Sequence, residues 1–590
     1  MKKEIKLYID TVKYLKPSQM YYRPINRIKR KLYSTNLIKS NIRNNLKVND
    51  DIVFLIPELD YAQDYLNRFD INDIFEDRFT FINIINKSVL SNAWNNRDLK
   101  HLWRYNLHYF EYLFILAYEY SNDNNKTKVY DKFRYLIENW ISNNPYANGD
   151  GWHPYTISLR ITNWISVYHI FRDSIKADIE FDIYIKESLY LQYLFLQRNL
   201  EKDVLGNHYF ENIKAIIIGS IFFAEDKVTN KFITELLNQL KEQVLQDGMH
   251  FELSPMYHKI ILEDLIKITY WLRDNSIYTQ LLTYIQEMLN VTYSFEEDFG
   301  KTPAFNDSAD GISKGYKTLI STCRRYFNLK PELKNCLEDS GFYIISDEFK
   351  KLIFDTGEIC PRYLPAHGHC DALSFELSIN KNPFIVNSGT FRYDNGEWRN
   401  YFRSTKAHNT VMVEDQEQSQ FWGTFRVAER IKKVQRKNFE YKGIHFYAGA
   451  YISYTGNKHK RIIGLIDKKL IIVLDFVNAK LDAKSYLHFT PKAQLSVDKN
   501  TVNTIFLEKG IKISSIGTSN IKIELGWYSE QFNMKIENKV LVFNKKENQD
   551  YFGYLINLGS NIEVCELENE LKIKRENDLI INYDRLGDML

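Results

Sequence analysis

The chain has little cysteine and no cysteine pattern. Its 590 residues hold five, Cys323, Cys336, Cys360, Cys370 and Cys565, an odd number with no CxxC pair. That excludes a disulfide framework and favours a reducing compartment. Glycine and proline are also sparse, at 24 and 12, which excludes a collagen-like or low-complexity chain. No uninterrupted apolar run approaches the roughly 18 residues of a membrane-crossing helix. The opening "MKKEIKLYIDTVKYLKPSQMYY" never gathers the apolar core of a signal peptide, so a cytoplasmic location is expected. Charge of one sign is missing as well. Lys and Arg number 78 against 75 Asp and Glu, a formal +3, which argues against a dedicated nucleic-acid binder.

What is present is an ordered chain with 44% hydrophobic, 26% charged and 15% aromatic residues. At this length a single core is too small, and two or more domains are expected. The first half repeats one theme. "LHYFEYLFILAYEYS", "ISLRITNWISVYHIF", "NIKAIIIGSIFFAE", "KFITELLNQLKEQVLQ" and "IILEDLIKITYWLRD" place apolar residues three and four apart, the spacing of amphipathic helices. Polar breaks such as "SNDNNKT" and "NNPYANGDG" separate them. With no strands expected between them, stacked helical hairpins follow, as a solenoid or a closed α/α toroid. Near Ser340 the period shifts. "GFYIISDEFKKLIFDTG", "ALSFELSI", "GIHFYAGAYISYT", "RIIGLIDKKLIIVLDFV" and "NKVLVFNKK" are short, β-branched and aromatic, as in an antiparallel sandwich. "DKKL" and "ENKV" read as tight hairpin turns. The expected division is an α-helical domain over 1–335 and a β domain over 336–590. The basic run "RIKRKLYSTNLIKSNIRNNLK" reads as a helical N-terminal extension with a solvated charged face.

Three histidines crowd one stretch of the β half. His367 and His369 are two apart before a predicted strand, and residues two apart in extended chain project to one side. His408 opens the later segment "HNTVMV", so three rings converge if the strands are neighbours. The reading from residues alone leaves a metal site and a hydrogen-bonded structural cluster both open. In the helical half, "GNHYFENIKA" puts Asn207, His208 and Glu211 at a turn-to-helix junction, His208 and Glu211 sharing a helix face. "DGMHFELSPMYHKIILEDL" puts His250, Glu252, Tyr257 and His258 at a second helix entry, with Ser254 as cap and Pro255 as first helical residue.

The blocks "GWHPYTISLRITNW", "NHYFEN", "DGMHFELSPMYH", "HGHCDALSFEL" and "RNYFRSTKAHNTV", in order across both halves, resemble the heparinase II/III-like polysaccharide lyases. The resemblance implies an incomplete (α/α) toroid followed by an antiparallel β-sandwich, with the active site between them. It implies β-elimination on a uronic-acid-containing polysaccharide, in which a base takes the C5 proton and the oxygen at C4 leaves. It implies catalytic roles for Asn207, His208, Tyr257 and His367. Asn207 and His208 would bind the uronate carboxylate and stabilise developing charge, Glu211 would orient His208, and Tyr257 and His367 would share the proton transfers. Glu211, Arg160, Tyr393, Arg399 and Arg403 are the candidate substrate-binding residues, the arginines suiting carboxylates or sulfates. One structural zinc is also implied, on His369, His408 and, where the family has an aspartate, Asn387. That is a departure, since an amide carbonyl is a poorer zinc ligand than a carboxylate. The alternative function is an acidic-glycan-binding protein of lyase fold that does not cleave.

Overall fold

A computed structural model describes residues 2–34, 46–86, 90–122, 125–567, 569–574 and 578–589. Two N-terminal helices, Lys2–Val12 and Pro17–Ser34, precede the body. The rest of the basic run expected to be helical, residues 35–45, lies outside the described residues.

Four helical hairpins build the first lobe. Leu113–Asn122 packs with Lys126–Asn143, Pro154–Ala177 with Ile179–Arg198, Gly206–Phe222 with Asp226–Gln243, and Pro255–Trp271 with Tyr278–Glu296. The first members of these pairs also pack on one another in series, and their burial differs accordingly. Gly206–Phe222 buries 15 of its 17 residues, whereas Asp226–Gln243 buries only Phe232, Ile233, Leu236, Gln239, Leu240 and Gln243, a single stripe. A helix buried all round is an inner helix, and one with a single buried stripe is an outer one. This is the incomplete (α/α) toroid. The helical half does hold one pair of strands, Phe79–Phe81 with Ile84–Asn86, which the expectation of helices alone missed.

From Cys336 onward the chain is antiparallel sheet. A five-stranded sheet runs from Cys336–Leu337 to Asn382–Ile385 in sequence order. An eight-stranded sheet and a four-stranded sheet follow. Phe354 and Leu377 of the first share a core with Ile463, Val473 and Tyr554 of the second and Leu541 and Phe543 of the third, so the sheets stack face to face. The "DKKL" turn is present, with Asp467 paired to Leu470 across two residues. "ENKV" is not a turn. It lies inside the strand Ile536–Lys545, because Val540 packs with Met412, Tyr486 and Val542 and a turn there would expose it.

Candidate active site

The two lobes enclose a cavity of about 620 Å³ lined from both sides, within the roughly 300–1,000 Å³ usual for ligand clefts. Asn207, His208, Tyr257, His367 and Tyr393 all line it.

The helix entry at Gly206 sets the first group. Leu205 has φ 70° and ψ −161°, a region that strains any side chain but glycine, and Gly206 follows at φ 58°. A Cβ on Gly206 would sit 2.2 Å from Glu252 Oε1. The glycine therefore lets the chain approach Glu252, whose carboxylate accepts the Asn207 backbone N–H at 2.9 Å and the Asn207 amide at 3.1 and 3.2 Å. Glu252 in turn lies 3.4 Å from Nε2 of His367. One buried carboxylate thus joins the helical-lobe amide to the sandwich-lobe imidazole.

Ser254 and Pro255 fulfil their expected roles. The Ser254 hydroxyl accepts the Tyr257 backbone N–H at 3.3 Å and Pro255 opens the helix. This capped first turn aims Tyr257 at the cavity, where its ring lies 3.9 Å, centroid to centroid, from that of His367. Its hydroxyl is 3.2 Å from that of Tyr393. Burial pushes the Tyr257 phenol well above its ordinary value, so it keeps its proton at any working pH. His250 and His258, from the same motif, are core histidines that bond Gln243 and the Met288 carbonyl.

His208 departs from the expected partner. Its Nδ1 is 2.9 Å from Glu201, not Glu211. Side chains on a helix lean toward its N-terminus, which carries His208 back over the loop that holds Glu201. Burial alone would lower the His208 pKa, but the Glu201 carboxylate overrides it and the net shift is upward. Glu201 itself, despite burial, is held down at about 2 by His208 and His153. Glu211 lines the cavity but is paired with Lys214 at 2.8 Å, which also binds Asp264.

Sequence reasoning missed Asp307. It lies in the buried segment Lys301–Asp307 between the lobes and accepts four hydrogen bonds from three side chains. His367 Nδ1 is at 3.1 Å, His369 Nε2 at 2.8 Å, and the Arg399 guanidinium closes on both oxygens, Nη2 at 2.8 Å. Burial alone would raise this carboxyl, but Arg399 and the two imidazoles hold it well below the usual range. An ionised carboxylate only accepts, so Nδ1 of His367 donates to Asp307, which orients the ring and leaves Nε2 beside Glu252 at the cavity. The only local signal, "FNDSAD", is a lone acidic loop of a kind that is common.

Three predicted substrate arginines are not at the cavity. Arg160 is fully buried, stacked 3.8 Å from the Trp140 ring and donating to Gln192, the His108 carbonyl and the Gly151 carbonyl. Arg399 is spent on Asp307. Arg403 donates to the Gly368, Gly423 and Thr424 carbonyls. In each case the buried guanidinium satisfies nearby acceptors instead of facing solvent. Arg392 does line the cavity, and its Nε has no hydrogen-bond partner.

The implied zinc ligands do not form a full set. His369 and His408 lie close, ring centroids 5.2 Å apart, and Nδ1 of His369 and both nitrogens of His408 are buried without a partner. Asn387, however, turns its side-chain oxygen to the Asn409 backbone N–H at 3.0 Å and its amide to Ser374 at 3.2 Å. Among the described residues, no group of three or more His, Cys, Asp or Glu is placed to hold a metal. Two neutral imidazoles and an engaged amide do not fit a closed zinc site, and no step below passes through a metal.

The model for the heparinase II/III N-terminus matches residues 21–335, and that for the heparinase II/III-like C-terminal domain matches 330–557. The chain belongs to the heparinase II/III family. A heparin-sulfate lyase of Pedobacter heparinus is 22% identical over 503 residues, 78% of this chain and 73% of the relative. One from Bacteroides stercoris is 22% identical over 541 residues, covering 81% and 77%. A heparinase III crystal structure superposes with TM-score 0.68 at 17% identity, over 95% of each chain. A heparan sulfate lyase structure from Pedobacter heparinus gives 0.63 at 18%, over 96% and 93%. The heparinase fold therefore holds across both lobes.

Proposed function

We propose that this chain is a polysaccharide lyase that cleaves an acidic, uronate-containing glycosaminoglycan by β-elimination. The observation that carries the reading is the meeting of Asn207, Tyr257 and His367 around Glu252 and one inter-lobe cavity. Family membership and the heparin-sulfate lyase relatives support the reaction class.

The C5 proton of a uronate is weakly acidic because its removal places a second negative charge beside the carboxylate. Donors on that carboxylate stabilise the enolate-like state as it forms. The Asn207 amide and the His208 ring, whose hold on its proton Glu201 strengthens, serve this role. Arg392 is a cation at the cavity wall suited to a neighbouring carboxylate or sulfate. The neutral imidazole of His367, held through Nδ1 by Asp307, takes the C5 proton on Nε2. The C4–C5 double bond forms as the C4–O4 bond breaks. Tyr257, whose buried phenol retains its proton, delivers it to the departing oxygen. The adjacent imidazolium then returns a proton to the phenolate, and the site is reset.

The test is incubation with heparan sulfate and other uronate polymers while following the ultraviolet absorbance of the unsaturated product. Growth of that absorbance, abolished in His367→Ala, is expected. New reducing ends without absorbance would mean hydrolysis, and tight binding without either would leave the protein a non-cleaving glycan binder.

A further inference from the structure

The N-terminal extension carries a surface that the lyase reaction does not use. Residues 2–34 contain ten Lys and Arg against Glu4 and Asp10, while the remainder, with 68 basic and 73 acidic residues, is net acidic. The basic excess of the chain is concentrated in this short segment.

Helix Lys2–Val12 rests on the β domain. Trp422 Nε1 donates to the Thr11 hydroxyl at 3.0 Å, and Lys13, just beyond, pairs with Glu429 at 2.5 Å. On its outer side Ile5, Ile9 and Val12, spaced i, i+4 and i+7, are 51%, 62% and 38% exposed. Helix Pro17–Ser34 turns Gln19, Asn26 and Tyr33 inward and leaves Met20, Tyr21 and Ile28 53%, 63% and 60% exposed. Arg23, Arg27 and Arg30 lie exposed on the same helix, to one side of these apolar residues. The charged run by itself suggested a solvated face, yet a solvated face does not carry isoleucine and tyrosine in register.

An apolar strip rimmed by basic residues is the chemistry of a helix that lies in a membrane interface. Among the described residues, no helix is long and apolar enough to cross a membrane, so the strips would rest among headgroups and not span. An acidic polysaccharide would satisfy the arginines but offer nothing to Ile5 and Ile9. A second copy would bring the same positive charge and repel. We propose that the N-terminal helices dock this enzyme on an anionic lipid surface, with the apolar strips at the acyl boundary and the basic rim on headgroup phosphates.

Co-sedimentation of the full chain with vesicles tests this, using phosphatidylcholine alone or mixed with phosphatidylglycerol. Binding to the mixed vesicles is expected to exceed that to phosphatidylcholine by at least about tenfold and to weaken with added salt. Ile5→Glu with Ile9→Glu, and separately Met20→Glu with Ile28→Glu, should each reduce it strongly while leaving the melting temperature and polymer cleavage unchanged. Should either double variant misfold, the wild-type contrast between the two vesicles decides alone. Equal or absent sedimentation on both vesicles overturns the proposal. So does anionic binding that the apolar variants leave intact, retention on an acidic-polysaccharide column in place of vesicles, or a concentration-dependent dimer that the Ile5/Ile9 variant dissolves.

Discussion

The Glu252 carboxylate grips Asn207 through its backbone and side-chain N–H groups and stands 3.4 Å from Nε2 of His367. It touches catalytic candidates of both lobes, so changes there should disturb turnover before stability. Glu252→Gln keeps the shape and half the acceptors, and kcat is expected to fall by roughly a hundredfold through misplacement of the amide, with the melting temperature little changed. Gly206→Ala should act similarly by pushing a methyl into the same carboxylate. Normal kcat in both variants would deny Glu252 its positioning role.

Tyr257 and Tyr393 share a hydroxyl contact of 3.2 Å, but only Tyr257 stacks at 3.9 Å on His367. Tyr257→Phe should lose on the order of 10² to 10⁴ in kcat, the usual worth of a positioned acid. Tyr393→Phe should lose far less. Steady-state kinetics on one polymer compares the two directly, and equal losses would remove the distinction.

Arg399 neutralises the buried Asp307. Arg399→Ala strands that carboxylate and is expected to cost about 3–5 kcal/mol of stability, read by chemical denaturation. Arg399→Lys should recover little, because lysine cannot fork onto two oxygens. A loss confined to KM would instead return Arg399 to the substrate.

The His208–Glu201 pair gives a pH dependence with a definite sign. The folded pKa of His208 is raised, so its contribution to stability is complete below the unfolded value of about 6.5 and fades as pH rises through the folded value. The low pKa of Glu201 acts at the acid end, its contribution being lost as pH falls toward about 2. Glu201→Gln should therefore flatten the decline in stability above neutrality and move the alkaline limb of kcat/KM to lower pH. An unmoved limb would separate His208 from carboxylate binding.

Asn387 commits its side chain to Asn409 and Ser374. A chelator is thus expected to leave the melting temperature within about 1 °C, since only a ligand bound to the folded state adds stability on binding. A fall of several degrees, reversed by zinc, would show that the two histidines recruit a metal after all.

Much of the site was legible as local chemistry. "GNHYFEN" and "SPMYH" fix a helix entry each, and a polar group in the first turn has few directions to take, so Asn207, His208 and Tyr257 reach the cavity as expected. "HGH" likewise delivers His367. The arginines were misread because charge in a sequence says nothing about which acceptors the fold will bury beside it. Arg160, Arg399 and Arg403 meet carbonyls and Asp307 inside the protein, where a guanidinium without partners would be costly.

By itself, then, the sequence determined the two lobes, through hydrophobic periods of 3.6 and 2, and the capped helix starts that carry the reactive groups, because both depend on neighbours within a few residues. Only the tertiary structure decided the partners: Glu201 in place of Glu211 for His208, Asp307 behind His367, and Glu252 between the lobes. Those choices join residues 7, 60 and 115 positions apart, and they were settled by which buried charges the packed lobes left facing one another.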